Sequence, residues 1–370
     1  MNRTQIYKSL DDVLNRHEAG SSTRSVVRES NQVRTFMLEF DLKETDSAKM
    51  ALDAAKRVLN SSGAVFRDTD EPDLLWIQIA NKKRHGNSDI YLDCENPRYW
   101  LLHGTGDGDA IAEFLLRQVR KHSILDHAWI PSDMIETFTN TGLFRGFRLS
   151  FNRNQHKKLN TDTSLDQLSM GFWGSQAKRT LGYIKGSPEL KNGIALAKIK
   201  VRLTDNNEDL YSDGRVTARG SSFVEHLAFV KKVYLDTYAP QIRKIEQQYA
   251  LHLQTDDDGQ SFLRGEPIVF SFDKKIDDLA AFCEDLFSSG EPYLLWGNPT
   301  LLSSNYYRVQ AVDLHVGSQL AFEIFPDFVR VYLPRKSCGN TILRLYTNLQ
   351  HHYDALVKVT DAAGGPLLAF

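Results

Sequence analysis

Residues 88–122 read SDIYLDCENPRYWLLHGTGDGDAIAEFLLRQVRKH, and residues 319–353 read QLAFEIFPDFVRVYLPRKSCGNTILRLYTNLQHHY. At a constant offset of 231 residues, Gly108-Asp109 falls on Gly339-Asn340, and each pair opens an apolar helical run. Tyr99-Trp100-Leu101-Leu102 falls on Arg330-Val331-Tyr332-Leu333, an extended apolar stretch in both copies. The chain therefore reads as two similar modules around a middle section.

Working outward, the first module opens with a strand at Thr35–Leu42, where Phe36, Leu38 and Phe40 recur at period two. A helix capped at Asp46 or Ser47 runs to Leu59 and stops at Asn60-Ser61-Ser62-Gly63. Strands follow at Asp73–Asn81, Asp89–Asp93 and Tyr99–His103, with a turn at His85-Gly86-Asn87, then a helix at Asp109–Lys121. The second module has a strand at Pro267–Phe272 and a helix at Ile276–Phe287. Strands at Tyr306–Val316, Gln319–Ile324 and Phe328–Leu333 lead to a helix from Asn340 to about Tyr353. Each module thus reads strand, helix, three or four strands, helix. An antiparallel sheet with two helices on one face satisfies that order, and the fold class is α+β. In element order the modules resemble TATA-binding-protein-like and helix-grip modules, in which a curved sheet carries a binding surface; the resemblance implies binding without naming a ligand.

The expected divisions are 1–34 (a short amphipathic helix and a linker), 35–122 (first module), 123–259 (a central region) and 260–370 (second module). In the central region a capping box at Ser222-Phe223-Val224-Glu225 starts a helix that Ala239-Pro240 is expected to kink or break. A second helix spans Gln241–His252.

A net charge of -2 excludes a strongly basic surface on average and leaves room for local patches. No apolar run reaches the roughly 18–20 residues a membrane span needs. The first twenty residues carry acids and have no apolar signal core, so no secretory signal is expected. Cys94, Cys283 and Cys338 are far apart and form no CxxC pair, which points to reduced thiols and a cytoplasmic location.

The leading chemical candidate is Leu143–Lys158, LFRGFRLSFNRNQHKK. As a strand it sets Phe147, Leu149 and Phe151 on one face and Arg148, Ser150 and Asn152 on the other. Arg145, Arg148, Arg153, Lys157 and Lys158 would grip phosphates and Phe147 would stack on bases. Arg145-Gly146-Phe147 matches the start of an RNA-recognition strand motif and departs from it afterwards. The competing reading is an amphipathic strand with its phenylalanines in the core. A second basic spot, Arg330, Arg335 and Lys336, precedes the helix at Asn340, where Ser337-Cys338-Gly339 would admit a phosphate to the helix N-terminus. Asp313 and His315 share one strand face and are the weaker candidates for a divalent metal. His351, His352 and Asp354 follow at a helix end.

The sequence contains no Walker A loop, GxSxG elbow or HExxH motif. The expectation is a cytosolic, non-catalytic binding protein without a cofactor, taking DNA or RNA and not a membrane. It would work with partner subunits or as a homo-oligomer, in a bacterial genome-maintenance or antiviral assembly. The rivals are a metal-dependent phosphodiesterase or nuclease using Asp313 and His315, and a protein-binding scaffold or homodimer docking through the helices at 222–252.

Overall fold

The computed structural model describes residues 1–15, 31–60, 64–81, 86–152, 167–256, 258–288 and 290–368. The fold is α+β, built on antiparallel sheets. It divides into two compact units: Met1–Ala128 with Phe138–Phe144 and Lys200–Asp236, and Trp129–Thr137 with Arg145–Ile199 and Thr237–Phe370. The middle of the sequence is thus shared between the units.

In the first unit, β1 (Val33–Phe40), β2 (Ala64–Asp68), β3 (Leu74–Asn81), β4 (Gly86–Asp93) and β5 (Tyr99–Thr105) pair in the order β2-β3-β4-β5-β1. The expected turn at 85–87 lies partly outside the described residues, and Gly86 and Asn87 belong to β4. Two helices cover one face. Helix α2 (Ala48–Val58) is capped by Ser47, which accepts from the Met50 amide, and contributes Ala51, Ala54, Ala55 and Val58 to the core. Helix α3 (Gly108–Lys121) is capped by Asp107, two residues before the expected start, and contributes Ile111, Phe114 and Leu115.

The opposite face of this sheet is covered by elements from outside the module. Ile6, Leu10, Val13 and Leu14 of α1 (Arg3–Leu14) pack with Val33, Leu74, Tyr91 and Phe223, the last at the start of α6 (Phe223–Val233). Strands β10 (Asn206–Tyr211) and β11 (Arg215–Gly220) extend the sheet beyond β1.

In the second unit, β14 (Ile268–Ser271), β15 (Leu295–Ser303), β16 (Tyr306–Asp313), β17 (Gln319–Ile324) and β18 (Phe328–Tyr332) run β15-β16-β17-β18-β14, with β19 (Lys358–Thr360) beyond β14. Helices α8 (Leu279–Phe287) and α9 (Asn340–His352) occupy the positions of α2 and α3 in chain order. The two sheets therefore share one strand order.

The ungapped alignment of the two copies does not survive in the strands. It sets Leu92 on Glu323. Leu92 is a core residue paired with Leu102, whereas Glu323 faces away from the core residues Phe322 and Ile324. Side chains alternate with period two, so a one-residue slip exchanges the faces of a strand. The hairpins differ in length: Phe325 and Phe328 close a turn over Pro326-Asp327, while β4 and β5 are joined by Cys94–Arg98.

The helical run is not broken at Pro240. A π-helical segment, Tyr234–Tyr238, precedes α7 (Ala239–Lys244), and its wider turn accommodates Pro240, which has no N–H to donate. A second π-helical segment ends the run at Tyr249, three residues earlier than expected. Phe223, Phe229, Val230, Val233, Tyr238, Ile242 and Ile245 are buried, so the apolar face proposed for docking is spent within the chain's own core.

Candidate nucleic-acid interface

Strand β7 (Leu143–Asn152) alternates as its sequence requires. Phe147 and Leu149 have no exposed surface and Phe151 has 3%. Phe147 therefore cannot stack on a base: its ring is held in the core, against Phe172 at 6.1 Å between centroids. Arg148 is on the solvent side, and among the described residues it has no ion-pair partner. Arg145 is half-buried, and its carbonyl accepts the Gly174 N–H. Arg153, Lys157 and Lys158 lie outside the described residues.

The aromatic surface comes from the neighbouring strand. In β8 (Gln167–Trp173), Gly171 pairs with Arg148 and Trp173 pairs with Gly146. Trp173 is 50% exposed. Its ring lies where a side chain at Gly146 would be: a Cβ there would meet the indole at 2.1 Å. One ring face is thus laid on the strand backbone, beside Arg148. The Lys198 ammonium of β9 (Leu196–Arg202) stands 5.0 Å from the ring centroid. Helix α5 (Ala177–Gly186) follows β8 directly and carries Lys178, Arg179 and Lys185 without an acidic residue. Arg179 donates to the Tyr183 hydroxyl at 2.8 Å, and that tyrosine is 63% exposed.

The second basic spot divides in two. Arg330 faces solvent from β18, close to Glu323 at 3.5 Å, and the Tyr306 and Tyr332 hydroxyls donate to the same carboxylate at 3.1 and 2.9 Å. Desolvation, and then the adjacent carboxylate, raises both phenols above their ordinary range. Arg335 and Lys336 are exposed in the loop that follows. The phosphate cradle expected at Ser337-Cys338-Gly339 is closed. All three residues are buried, and the Glu246 carboxylate already accepts the Gly339 N–H at 2.8 Å. A carboxylate at a helix N-terminus does for the dipole what a bound anion would do.

Asp313 and His315 do not form the expected pair of ligands. Asp313 is fully buried, and its carboxylate accepts from the Arg344 guanidinium, the Thr341 hydroxyl and the His315 backbone amide. Arg344 is also fully buried and donates its Nε–H to the Tyr293 carbonyl at 2.9 Å. A guanidinium in this position supplies the positive charge a cation would bring. His351 engages the Ser150 carbonyl, and Asp354 accepts the amides of Asp273 and Leu356.

The first unit holds a polar chain that the sequence did not signal. Thr35 Oγ1 lies 2.7 Å from both His103 Nδ1 and His226 Nε2, and His226 Nδ1 lies 2.8 Å from Glu208. Hydroxyl, imidazole and carboxylate stand in the order of a nucleophile relay. All four side chains have zero exposure, so substrate has no access and the chain serves the core. Burial drives the His103 imidazole well below the ordinary histidine range.

Trp173 and Lys198 were missed because their role depends on which strand lies beside β7. The available signal was the unusual content of Gly171-Phe172-Trp173-Gly174, an aromatic pair flanked by glycines.

The family model described as MJECL33-like protein matches residues 1–364, and the chain belongs to that family. A relative in Methanocaldococcus jannaschii, "Uncharacterized protein MJECL33", is 25% identical over 400 residues, covering 96% of this chain and 92% of its own length. Among the described residues no helix is long and apolar enough to cross a membrane.

Proposed function

We propose that the chain is a non-catalytic protein that binds single-stranded nucleic acid on the β7–β8 face. The observation that carries this reading is the half-exposed indole of Trp173, laid on the Gly146 backbone beside Arg148 and with the Lys198 ammonium at its ring. A flat, supported aromatic ring stacks any base, and flanking cations follow the phosphates. Lys178 and Arg179 lengthen the positive track along α5, whose Lys185 is paired with Glu136 at 2.5 Å. Arg330, Arg335 and Lys336 form a separate, weaker basic area, since Arg330 already has Glu323 beside it. A duplex is a poorer fit, because its bases are already stacked on one another.

A cytoplasmic setting is supported by three cysteines that form no disulfide. Partner subunits or a second copy belong to the same proposal, because the small local patch of cations suits a component that shares its ligand with others.

The test is fluorescence anisotropy of the full chain with labelled single-stranded DNA, RNA and duplex DNA across a salt series. Salt-sensitive binding to a single strand, lost in Trp173→Ala and in Arg148→Glu with folding intact, supports the reading. Absence of binding to every form at low salt overturns it.

A further inference from the structure

Within the first unit, three arginines are gathered on one face of the sheet. Thr217 of β11 pairs with Arg34 of β1, and Arg215 and Arg219 stand two residues to either side of Thr217. Residues two apart on a strand share a face, so both are diagonal neighbours of Arg34. It is the face of Phe36 and Leu38, on the side of α3. Asp209 of β10 pairs with Thr217 in the same row and takes Arg219 at 2.7 Å and Lys200 at 3.9 Å. Arg215 has Asp213 at 3.8 Å, and its Nε makes no hydrogen bond among the described residues. Its guanidinium lies over Tyr211, 4.0 Å from the ring centroid, which holds it in place. The Arg215 and Arg219 side chains are 25% and 40% exposed, so solvent reaches them.

Arg34 is the least compensated of the three. Among the described residues it forms no ion pair, and its hydrogen bond goes to the Gly106 carbonyl at 3.3 Å. The guanidinium is laid on Gly108, the first residue of α3: a Cβ there would fall on its carbon and nitrogen atoms. That is the positive end of the helix dipole, where a cation is disfavoured. Burial, then the charges of Arg219 and Arg215, lower this guanidinium from its ordinary range, and Asp109 offsets part of that. An anion placed among the three groups would remove the conflict. We propose that Arg34, Arg215 and Arg219 bind the phosphoryl group of a small phosphorylated ligand. Guanidinium forks match phosphate oxygens in pairs, and a dianion offsets all three charges at once. Asp109 and Asp213 limit the ligand's size. They stand near Arg34 and Arg215, so a run of successive phosphates would meet like charge that a single phosphoryl group avoids. The site shares no residue with the β7–β8 face and does not rest on that reading.

Isothermal titration calorimetry of the full chain at low salt tests it, with inorganic phosphate, with AMP and with an oligothymidylate lacking terminal phosphates. The expected result is one equivalent of phosphate or AMP, each displacing the other, and no displacement of either by the oligonucleotide. Tighter binding of AMP than of phosphate identifies a nucleotide as the ligand class, and equal binding identifies the phosphoryl group alone; both support the site. Arg34→Gln and Arg219→Gln should each weaken phosphate binding by at least about tenfold. Arg117→Gln, which removes an exposed charge from the same unit, should leave it unchanged. Gly108→Ala displaces the Arg34 side chain and keeps α3, since alanine is the better helix former, so it should weaken binding in a chain that stays folded. No stoichiometric binding of phosphate or AMP up to about 10 mM overturns the proposal. Unchanged affinity in folded Arg34→Gln or in Gly108→Ala overturns it as well. So does one-for-one displacement of phosphate by the oligonucleotide, which would give the arginines to a nucleic-acid backbone.

Discussion

The indole of Trp173 fills the space that a side chain at Gly146 would need, 2.1 Å from the position of the missing Cβ. Because this is a backbone-on-ring contact, it holds the ring flat without spending a second side chain. Gly146→Ala places a methyl group in the indole and 2.6 Å from the Phe172 carbonyl. The expected cost is about 1–3 kcal/mol of stability. Thermal unfolding measures it, and the displaced ring should also weaken single-strand binding in the variant that remains folded.

Trp173→Ala should reduce affinity for single-stranded nucleic acid by about 5- to 150-fold, the equivalent of about 1–3 kcal/mol for one stacked base. Arg148→Ala should lower the slope of log affinity against log salt by about one unit. Phe147→Ala should behave differently. Its ring is core, so the change should cost about 3–5 kcal/mol in denaturant unfolding. Equal affinity in wild type and Trp173→Ala would remove the indole from the interface.

Asp313 and Arg344 are fully buried partners. Arg344→Met should destabilise the chain by about 3–5 kcal/mol, because it leaves a buried carboxylate without its counter-charge. Combining it with Asp313→Asn should restore part of that loss. A double-mutant cycle by urea unfolding measures the coupling, and purely additive losses would argue against the pair.

His103 sets a pH dependence. Its folded-state value is depressed by burial first and the neighbouring His226 second, so the unfolded chain takes up a proton that the folded chain refuses. This contribution to stability is fully present above the unfolded histidine value of about 6.5 and is lost as pH falls below it. The loss approaches about 1.4 kcal/mol per pH unit for one group. Wild type should therefore lose more stability than His103→Gln between neutral pH and mildly acidic pH, read as the difference in their unfolding midpoints. Parallel curves would show that another group carries the effect.

Local pattern alone made the α+β class legible. Phe36, Leu38 and Phe40 at period two, the cap at Asp46 or Ser47, and the apolar runs after Gly108 and Gly339 are short-range signals, and these elements form close to where they were read. The alternation in β7 was equally clear, and it alone determined that Phe147 and Arg148 point to opposite sides. Which side is wet could not be read from β7, since each face of a strand is defined by what packs against it.

The amino-acid sequence by itself thus determined the α+β mix and the in–out alternation within strands such as β1 and β7, because these depend on residues a few positions apart. Tertiary structure alone decided the rest. It laid Trp173 beside Arg148, closed the Gly339 cradle with Glu246 and gave Asp313 to Arg344. These partners lie from 25 to 93 residues apart in the chain. No local period encodes such distances; they are set when helices and sheets bury their apolar faces together and the polar side chains must find partners in what remains.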